Sequence, residues 1–452
     1  MNRQFQGETD AVVANGLRAA IIGGGITGLA LADMLTASGA SVEIFERGPE
    51  LGGLAAGFEV MPGIRLERFY HHMFQTDVDI QHLMAELGLG DQIMWRPADI
   101  GFYLENDIHR LSTPLDVLRF KPLGALSRLG LAWTMLELRE RRRGKSLERI
   151  TVEQYFRRRF AKDVYAKVWA PMYEAKWGPD AADISAAWMW QKVRARGKSR
   201  RAMREELGYP LNGFGGIARA LADRVRSRGG VVNLGTVVKQ VRLQHGRVAG
   251  IDLEERSPDF DVVLSTLPLA NLVSLVPDLP DGVAQRCASV GYRGVVCHIL
   301  VMDRPLSDIY WLNIADRSIP LGGIVEHTNF VPKEHYNGRH IAYLFNYLDQ
   351  SAPELTMPED EFAAHHFPHV QRIFPNFRPD RVEQSFVFRT RVATPIYRHP
   401  YEPPPLQPVP GLFLADTSRI FPMDRGTSEC IRLARYVSDA VLGRPTDPPR
   451  TI

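Results

Sequence analysis

Cysteine is scarce: Cys287, Cys297 and Cys430 are the only three in 452 residues, far apart and without CxxC spacing. That excludes a disulfide framework and a cysteine-based zinc site, and a chain so poor in thiols suits a reducing, cytoplasmic compartment. Long apolar runs are also missing, since none approaches the roughly 20 residues that cross a bilayer. Residues 1–16 are polar and of mixed charge, without the apolar core of a secretory signal, and read as a flexible leader. The proline-rich stretch 444–452 reads as a flexible tail. A large charge of one sign is absent too, with 55 Lys and Arg against 52 Asp and Glu.

The balance is uneven along the chain. From Arg110 to Arg204 there are 23 Lys and Arg against 9 Asp and Glu; the remainder carries 32 against 43. A middle region this basic suits a phosphorylated substrate, an anionic membrane surface or a nucleic acid, or else forms a solvated helical surface. The length exceeds one ordinary core, so two domains are expected.

Near the start, the buried-looking run 18–22 is followed by Gly23-x-Gly25-x-x-Gly28, a helical pattern from Leu29 to Ser38, and a strand Ser41–Phe45 that ends at Glu46. This strand, glycine turn, helix and strand make a βαβ unit. Gly23 permits the turn, Gly25 admits a pyrophosphate to the backbone, and Gly28 lets helix and strand pack closely. The helix start, with Ile26 and Thr27, offers free N–H groups to phosphates, and Glu46 can accept from an adenosine ribose. A carboxylate there disfavours a 2′-phosphate and therefore NADP.

Beyond Glu46 and Arg47, a second glycine pair, Gly52-Gly53, precedes Leu54. This extension resembles the FAD-dependent amine oxidase-like superfamily, which includes protoporphyrinogen oxidases, phytoene desaturases and, more distantly, UDP-galactopyranose mutases. The resemblance continues in Arg68-Phe-Tyr-His-His-Met-Phe, in Thr151 to Phe160 with Trp169-Ala-Pro-Met-Tyr, in Tyr209-Pro-Leu-Asn-Gly-Phe-Gly-Gly, and in Gly411-Leu-Phe-Leu-Ala-Asp416. It implies an α/β fold: a Rossmann-like FAD-binding domain of the GR2 type with a discontinuous mixed α+β substrate domain. The FAD-binding domain is expected over 17–80, 206–275 and 408–443, and the substrate domain over 81–205 and 276–407.

The resemblance further implies non-covalent FAD, with Val238 beside the adenine, Asp416 on the ribityl chain, and Gly426, Thr427 and Ser428 opening a helix toward the flavin. Its implied activity is an oxidase or desaturase moving a hydride from an amphiphilic or anionic organic substrate to flavin. The alternative is a non-redox flavoenzyme resembling UDP-galactopyranose mutase and acting on a sugar nucleotide or glycolipid. A nucleic acid partner is not expected from this family. Ala415 stands where the family usually has glycine. The lysine that many amine oxidases place near the flavin has no clear counterpart, Lys333 being the nearest.

His71 and His72 are candidate proton acceptors, because histidine titrates near neutral pH. On a strand they face opposite ways, so one at most faces the flavin. Tyr70, Glu326, Asn329, Arg389 and Arg391 are candidate substrate contacts. Glu326-His327-Thr328-Asn329 reads equally as a pocket wall or a turn, and the two arginines share a strand face that suits a phosphate or carboxylate or ladders with surface acids. His365, His366 and His369 have helical spacing but no matching acids or cysteines, which reads as a solvated helix face and not a metal site. Leu123 to Leu138 carries Leu126, Leu129, Trp133 and Leu136 at helical spacing and runs into Arg139, Arg141, Arg142, Arg143 and Lys145. Such a helix lies in an anionic membrane surface, on the inner face, or packs on the protein's own core.

Overall fold

The computed structural model describes residues 16–159, 162–201 and 203–446. Most of the expected leader, 1–15, and the end of the tail, 447–452, lie outside them.

Five strands form a parallel sheet in the order Val231–Asn233, Ser41–Phe45, Arg18–Ile22, Val262–Ser265 and Leu412–Leu414. Ala19 to Ile22, Val262 to Ser265 and Leu412 to Leu414 are buried throughout, as parallel strands covered on both faces must be. The helix Ile26–Ala37 is buried almost all round because Gly213–Ser227 and Thr427–Val441 both pack against it. Gly213–Ser227 brings a stripe of Phe214, Ile217, Ala218, Leu221, Ala222 and Val225 at helical spacing.

A second sheet has seven strands: Val382–Pro395, Tyr292–Met302, His340–Leu348, Gly323–Glu326, Trp311–Ile314, Ile100–Leu104 and Asp107–Arg110. Its pairs are antiparallel except for Trp311–Ile314 beside Ile100–Leu104. One apolar core runs through both sheets, from Ile21 and Leu29 to Ile299 and Tyr343. A separate core gathers the helices of the middle region around Trp177, Trp188 and Trp190.

Two stretches are irregular. Between Thr151 and Trp177 the chain is broken into Val152–Arg157, Lys162–Val164, a wide π-helical stretch Tyr165–Trp169 and Ala170–Trp177, and Phe160 and Ala161 lie outside the described residues. The strand Gln240–Gln244 begins only after residues 235 and 236 have hydrogen-bonded to the backbone of Glu46 and Gly48.

The basic amphipathic stretch is a helix, Ala125–Glu140, next to the short helix Pro114–Arg119. Leu131, Thr134 and Leu138 face inward, and Glu137 accepts bonds from Tyr155, Arg141 and Arg159. The apolar stripe therefore faces outward: Leu126 is 85% exposed, Leu129 58%, Trp133 68% and Leu136 50%. Leu115 and Leu118 of the neighbouring helix are exposed beside them. This stripe does not pack on the protein's own core.

Candidate active site

Two glycine turns lie back to back. Gly52 N–H donates to the Gly24 carbonyl at 2.8 Å, and Gly25 bridges to Gly52. A Cβ on Gly28 would sit 2.0 Å from the Gly23 carbonyl oxygen, so helix and turn meet only without a side chain there. Gly53 has a φ of +59°, and a Cβ on it would lie 3.2 Å from Gly25 Cα. Gly25 caps the helix Ile26–Ala37 without a side-chain acceptor, which leaves the N–H groups of the first turn, Ile26 to Gly28, for an anion. Glu46 accepts from Gly24 N–H and from Gly48 N–H, both at 2.8 Å, so its carboxylate is fixed at the mouth of the turn. Thr236 N–H donates to the Glu46 carbonyl, which brings the segment ahead of buried Val238 alongside the acid. Arg47 points to solvent, and Leu54 is half-buried behind the second glycine pair.

The C-terminal helix Thr427–Val441 starts at Gly426, again without a side-chain cap. It packs against Ile26–Ala37, with Cys430 of its first turn beside Thr27. Two positive helix ends therefore open close together, one suited to a pyrophosphate and one to an electron-rich ring. The residues present fit a dinucleotide. Two of the side chains expected there also hold the fold together: Asp416 accepts from Tyr292 at 2.6 Å and from the Ser418 hydroxyl and N–H, and Ser428 accepts from Ile80 N–H.

Beside this second helix start is an aromatic group. Tyr70 meets Phe345 at 4.4 Å and Trp311 edge-on at 5.0 Å, and its hydroxyl is 3.2 Å from that of Tyr347. His71 and His72 lie on irregular backbone, not a strand, yet they do point apart. The His71 ring packs on Phe214 and its Nδ1 donates to the Phe69 carbonyl at 2.6 Å, which leaves Nε2 as an acceptor. His72 packs on Trp311 and bonds Tyr310 through Nδ1. Burial pushes both imidazoles down, His71 to about 4, and Arg196 and Lys192 push His72 further. Both are neutral at pH 7.

Next to them is a charged cluster that sequence reasoning missed. Asp424 pairs with Lys176 at 2.9 Å and with Lys192 at 2.6 Å, and Arg425 lies against Tyr347. Burial alone would raise the Asp424 carboxyl, but the two ammoniums override it and hold it well below the usual range. Asp424 and Arg425 directly precede Gly426, so the flavin motif pointed at them. Lys176 lies three residues beyond the Trp169-Ala-Pro-Met-Tyr segment, and Lys192 lies in a helix without a motif.

Other expected contacts are elsewhere. Glu326 and Asn329 form no open pocket wall: the Glu326 carboxylate accepts from Leu306 N–H and Ser307, and Asn329 donates to the carbonyls of Ser307 and Ile309. The pair pins the 306–309 loop. Arg389 and Arg391 do turn the same way, but onto the main-chain carbonyls of Glu354, Met357 and Gln350 and not toward an open anion site. Lys333 is exposed. His365 is exposed, whereas His366 is buried and stacked 4.0 Å from Phe362. No cluster of potential metal ligands occurs among the described residues. A separate surface cleft of about 500 Å³, lined by Arg65, Gln92, Asn212, Arg219 and Tyr336, shares no residue with the cradle or the cluster.

A 15-cis-phytoene desaturase of Synechococcus elongatus is 24% identical over 439 residues, 88% of this chain and 90% of its own. Among solved structures, a protein from Exiguobacterium sp. 255-15 provisionally named a protoporphyrinogen oxidase superposes with a TM-score of 0.75 at 17% identity, covering 95% of this chain and 99% of that one. Reduced UDP-galactopyranose mutase gives 0.74 at 15% identity, covering 96% and 97%. Residues 26–442 match the family described as flavin-containing amine oxidoreductases. With its second glycine turn, acidic strand end and uncapped helix starts inside that match and its first glycine turn just ahead of it, the chain belongs to this family and is an FAD-dependent oxidoreductase.

Proposed function

We propose that the chain oxidises an amphiphilic organic substrate that carries an anionic end. The observation that carries this reading is the aromatic group Tyr70, Trp311, Phe345 and Tyr347 beside the uncapped start of Thr427–Val441. When bound, FAD supplies the electron sink that accepts the hydride as the substrate C–H bond breaks. The aromatic rings hold an apolar body and exclude water. His71 Nε2 is a free, neutral acceptor for the proton released by the oxidised substrate, and neutral His72 is the second candidate. On this reading the FAD-binding domain comprises 17–80, 206–275 and 408–443, the segments that supply all five parallel strands. Residues 81–205 and 276–407 supply the seven-stranded sheet and form the substrate domain.

The substrate is reached from an anionic membrane surface. A contiguous exposed apolar patch marks an interface. The stripe Leu126, Leu129, Trp133 and Leu136, with Leu115 and Leu118, is followed by exposed Arg139, Arg142, Arg143 and Lys145. Tryptophan suits the bilayer interface and the cations suit anionic head groups. No helix of the described residues is long and apolar enough to cross a membrane.

Anaerobic mixing with lipids, amines and sugar nucleotides tests the reading. An amphiphilic substrate should bleach the flavin absorbance, and His71→Ala or His72→Ala should slow the bleaching without releasing FAD. A sugar nucleotide that binds and turns over without bleaching would replace this reading with the non-redox one.

A further inference from the structure

The side chains of Lys176, Lys192, Arg425 and Asp424 come from three separate elements. Lys176 is in the last turn of the helix Ala170–Trp177, Lys192 is midway along Ala186–Lys198, and Asp424 and Arg425 precede the C-terminal helix. Two ammoniums share one carboxylate, and the Arg425 guanidinium lies near them. Among the described residues, each ammonium, with three N–H groups, has one hydrogen-bond acceptor, an oxygen of Asp424. Among the same residues the Arg425 Nε has no partner, and its Nη2 reaches the Tyr347 hydroxyl at 3.5 Å. Arg196, close to His72, is already paired with buried Glu205. Of the nearby carboxyls, Glu429 is pushed by burial and by Asp77 up to about 8 and stays mostly protonated at pH 7, whereas Asp77, pushed by burial up to about 6, keeps most of its charge and faces Lys192. Three cations therefore still exceed the two carboxylates Asp424 and Asp77.

The cluster is also sheltered. The Lys176 side chain is 15% exposed and lies 4.5 Å from the Trp188 ring, 5.0 Å from Trp177 and 5.9 Å from Tyr347. An excess of positive charge in such surroundings is costly unless an anion completes it.

We propose that Lys176, Lys192 and Arg425 form a receptor for one anionic group of the substrate, a carboxylate or a phosphate, and that Asp424 holds the two lysines in place until that group arrives. The proposal rests on the reading that substrate binds beside the start of Thr427–Val441. The aromatic group takes the apolar body, and the cations take the charged end and so fix which carbon faces the flavin. Lys176 faces Asp424 and Arg425 from the pre-helix loop, Lys192 from Ala186–Lys198 and Tyr347 from His340–Leu348. Burial lowers it to about 8, so the receptor loses a charge as pH rises through that value.

Hexanoate, hexyl phosphate and neutral hexanol, titrated into the FAD-loaded protein, provide the test, read as a flavin difference spectrum and by calorimetry. At least one anion should bind about 10-fold more tightly than hexanol at pH 7 and lose that advantage by pH 9. Hexanoate and hexyl phosphate distinguish the two anion chemistries. Lys192→Met should weaken anion binding about 10-fold and leave hexanol and FAD content unchanged, and Lys192→Arg should restore it. Asp424→Asn keeps the shape and removes the competing charge, so it should tighten anion binding; a merely structural carboxylate would give loss. Equal binding of anions and hexanol, or weaker anion binding by Asp424→Asn in a protein with unchanged FAD content, overturns the proposal. If hexanol-like neutral amphiphiles bleach the flavin while anions do not bind, the receptor is wrong and the oxidation stands. If anions bind as stated and no substrate bleaches the flavin, the receptor stands and the oxidation is wrong.

Discussion

Glu46 has two tasks in one carboxylate. It ties Gly24 to Gly48, setting the spacing of the first glycine turn, and it presents negative charge where an adenosine ribose would donate. Glu46→Arg removes both and adds a cation, so FAD affinity should fall about 100-fold or more, given 1.5–3 kcal/mol for each bond to a charged acceptor. FAD retained at wild-type stoichiometry after gel filtration would show that the ribose binds elsewhere. A different residue sets an acid sensitivity. His298 is buried, with neither ring nitrogen partnered among the described residues, stacked on Phe367, and burial lowers it to about 3. The unfolded chain takes up this proton below pH 6.5 and the folded chain does not, so this histidine costs stability as pH falls from 6.5 toward 3. His298→Phe removes that loss. At pH 5 the variant should exceed wild type by about 2 kcal/mol more than it does at pH 8. Parallel denaturation curves at the two pH values would contradict it.

At the scale of elements, Ala125–Glu140 shows what a sequence pattern settles and what it leaves open. The spacing of Leu126, Leu129, Trp133 and Leu136 identifies a helix with one apolar face, but the same pattern serves a core or a membrane. What decides the direction is Glu137, whose bonds to Tyr155 and Arg159 fasten the opposite side to the protein. The measurement is co-sedimentation with phosphatidylglycerol and phosphatidylcholine vesicles. The protein should pellet with the anionic vesicles at low salt and be released as salt rises. Arg142→Ser with Arg143→Ser should weaken binding roughly 30-fold, from about 1 kcal/mol per cation. Protein left in the supernatant at low salt would make the exposed stripe a contact for something else.

Other elements were legible for plain reasons. The strands 18–22 and 41–45 and the helix 427–441 follow from apolar runs punctuated by glycine, where periodicity and turn chemistry agree. Trp311–Ile314 and Gly323–Glu326 were not, because strands of four residues carry no period and owe their pairing to His340–Leu348 and Ile100–Leu104.

For the whole molecule, the two glycine turns, the acid and the helix starts could be read because each is a local signal at short spacing. The charged cluster could not, because Lys176 and Asp424 are 248 residues apart and meet only once the fold has formed. The same limit misassigned Arg389 and Arg391, whose shared strand face is real but is occupied by carbonyls from 350–357. All the proposals above depend on FAD occupying the cradle, and no cysteine or histidine in Gly411 to Asp416 is placed to attach it. The most direct measurement is the visible spectrum of the purified protein before and after acid precipitation. The account predicts an oxidised-flavin spectrum at about one FAD per chain, with all the yellow colour in the supernatant. A colourless protein that takes up no added FAD would contradict the cradle itself, and a yellow pellet would contradict non-covalent binding.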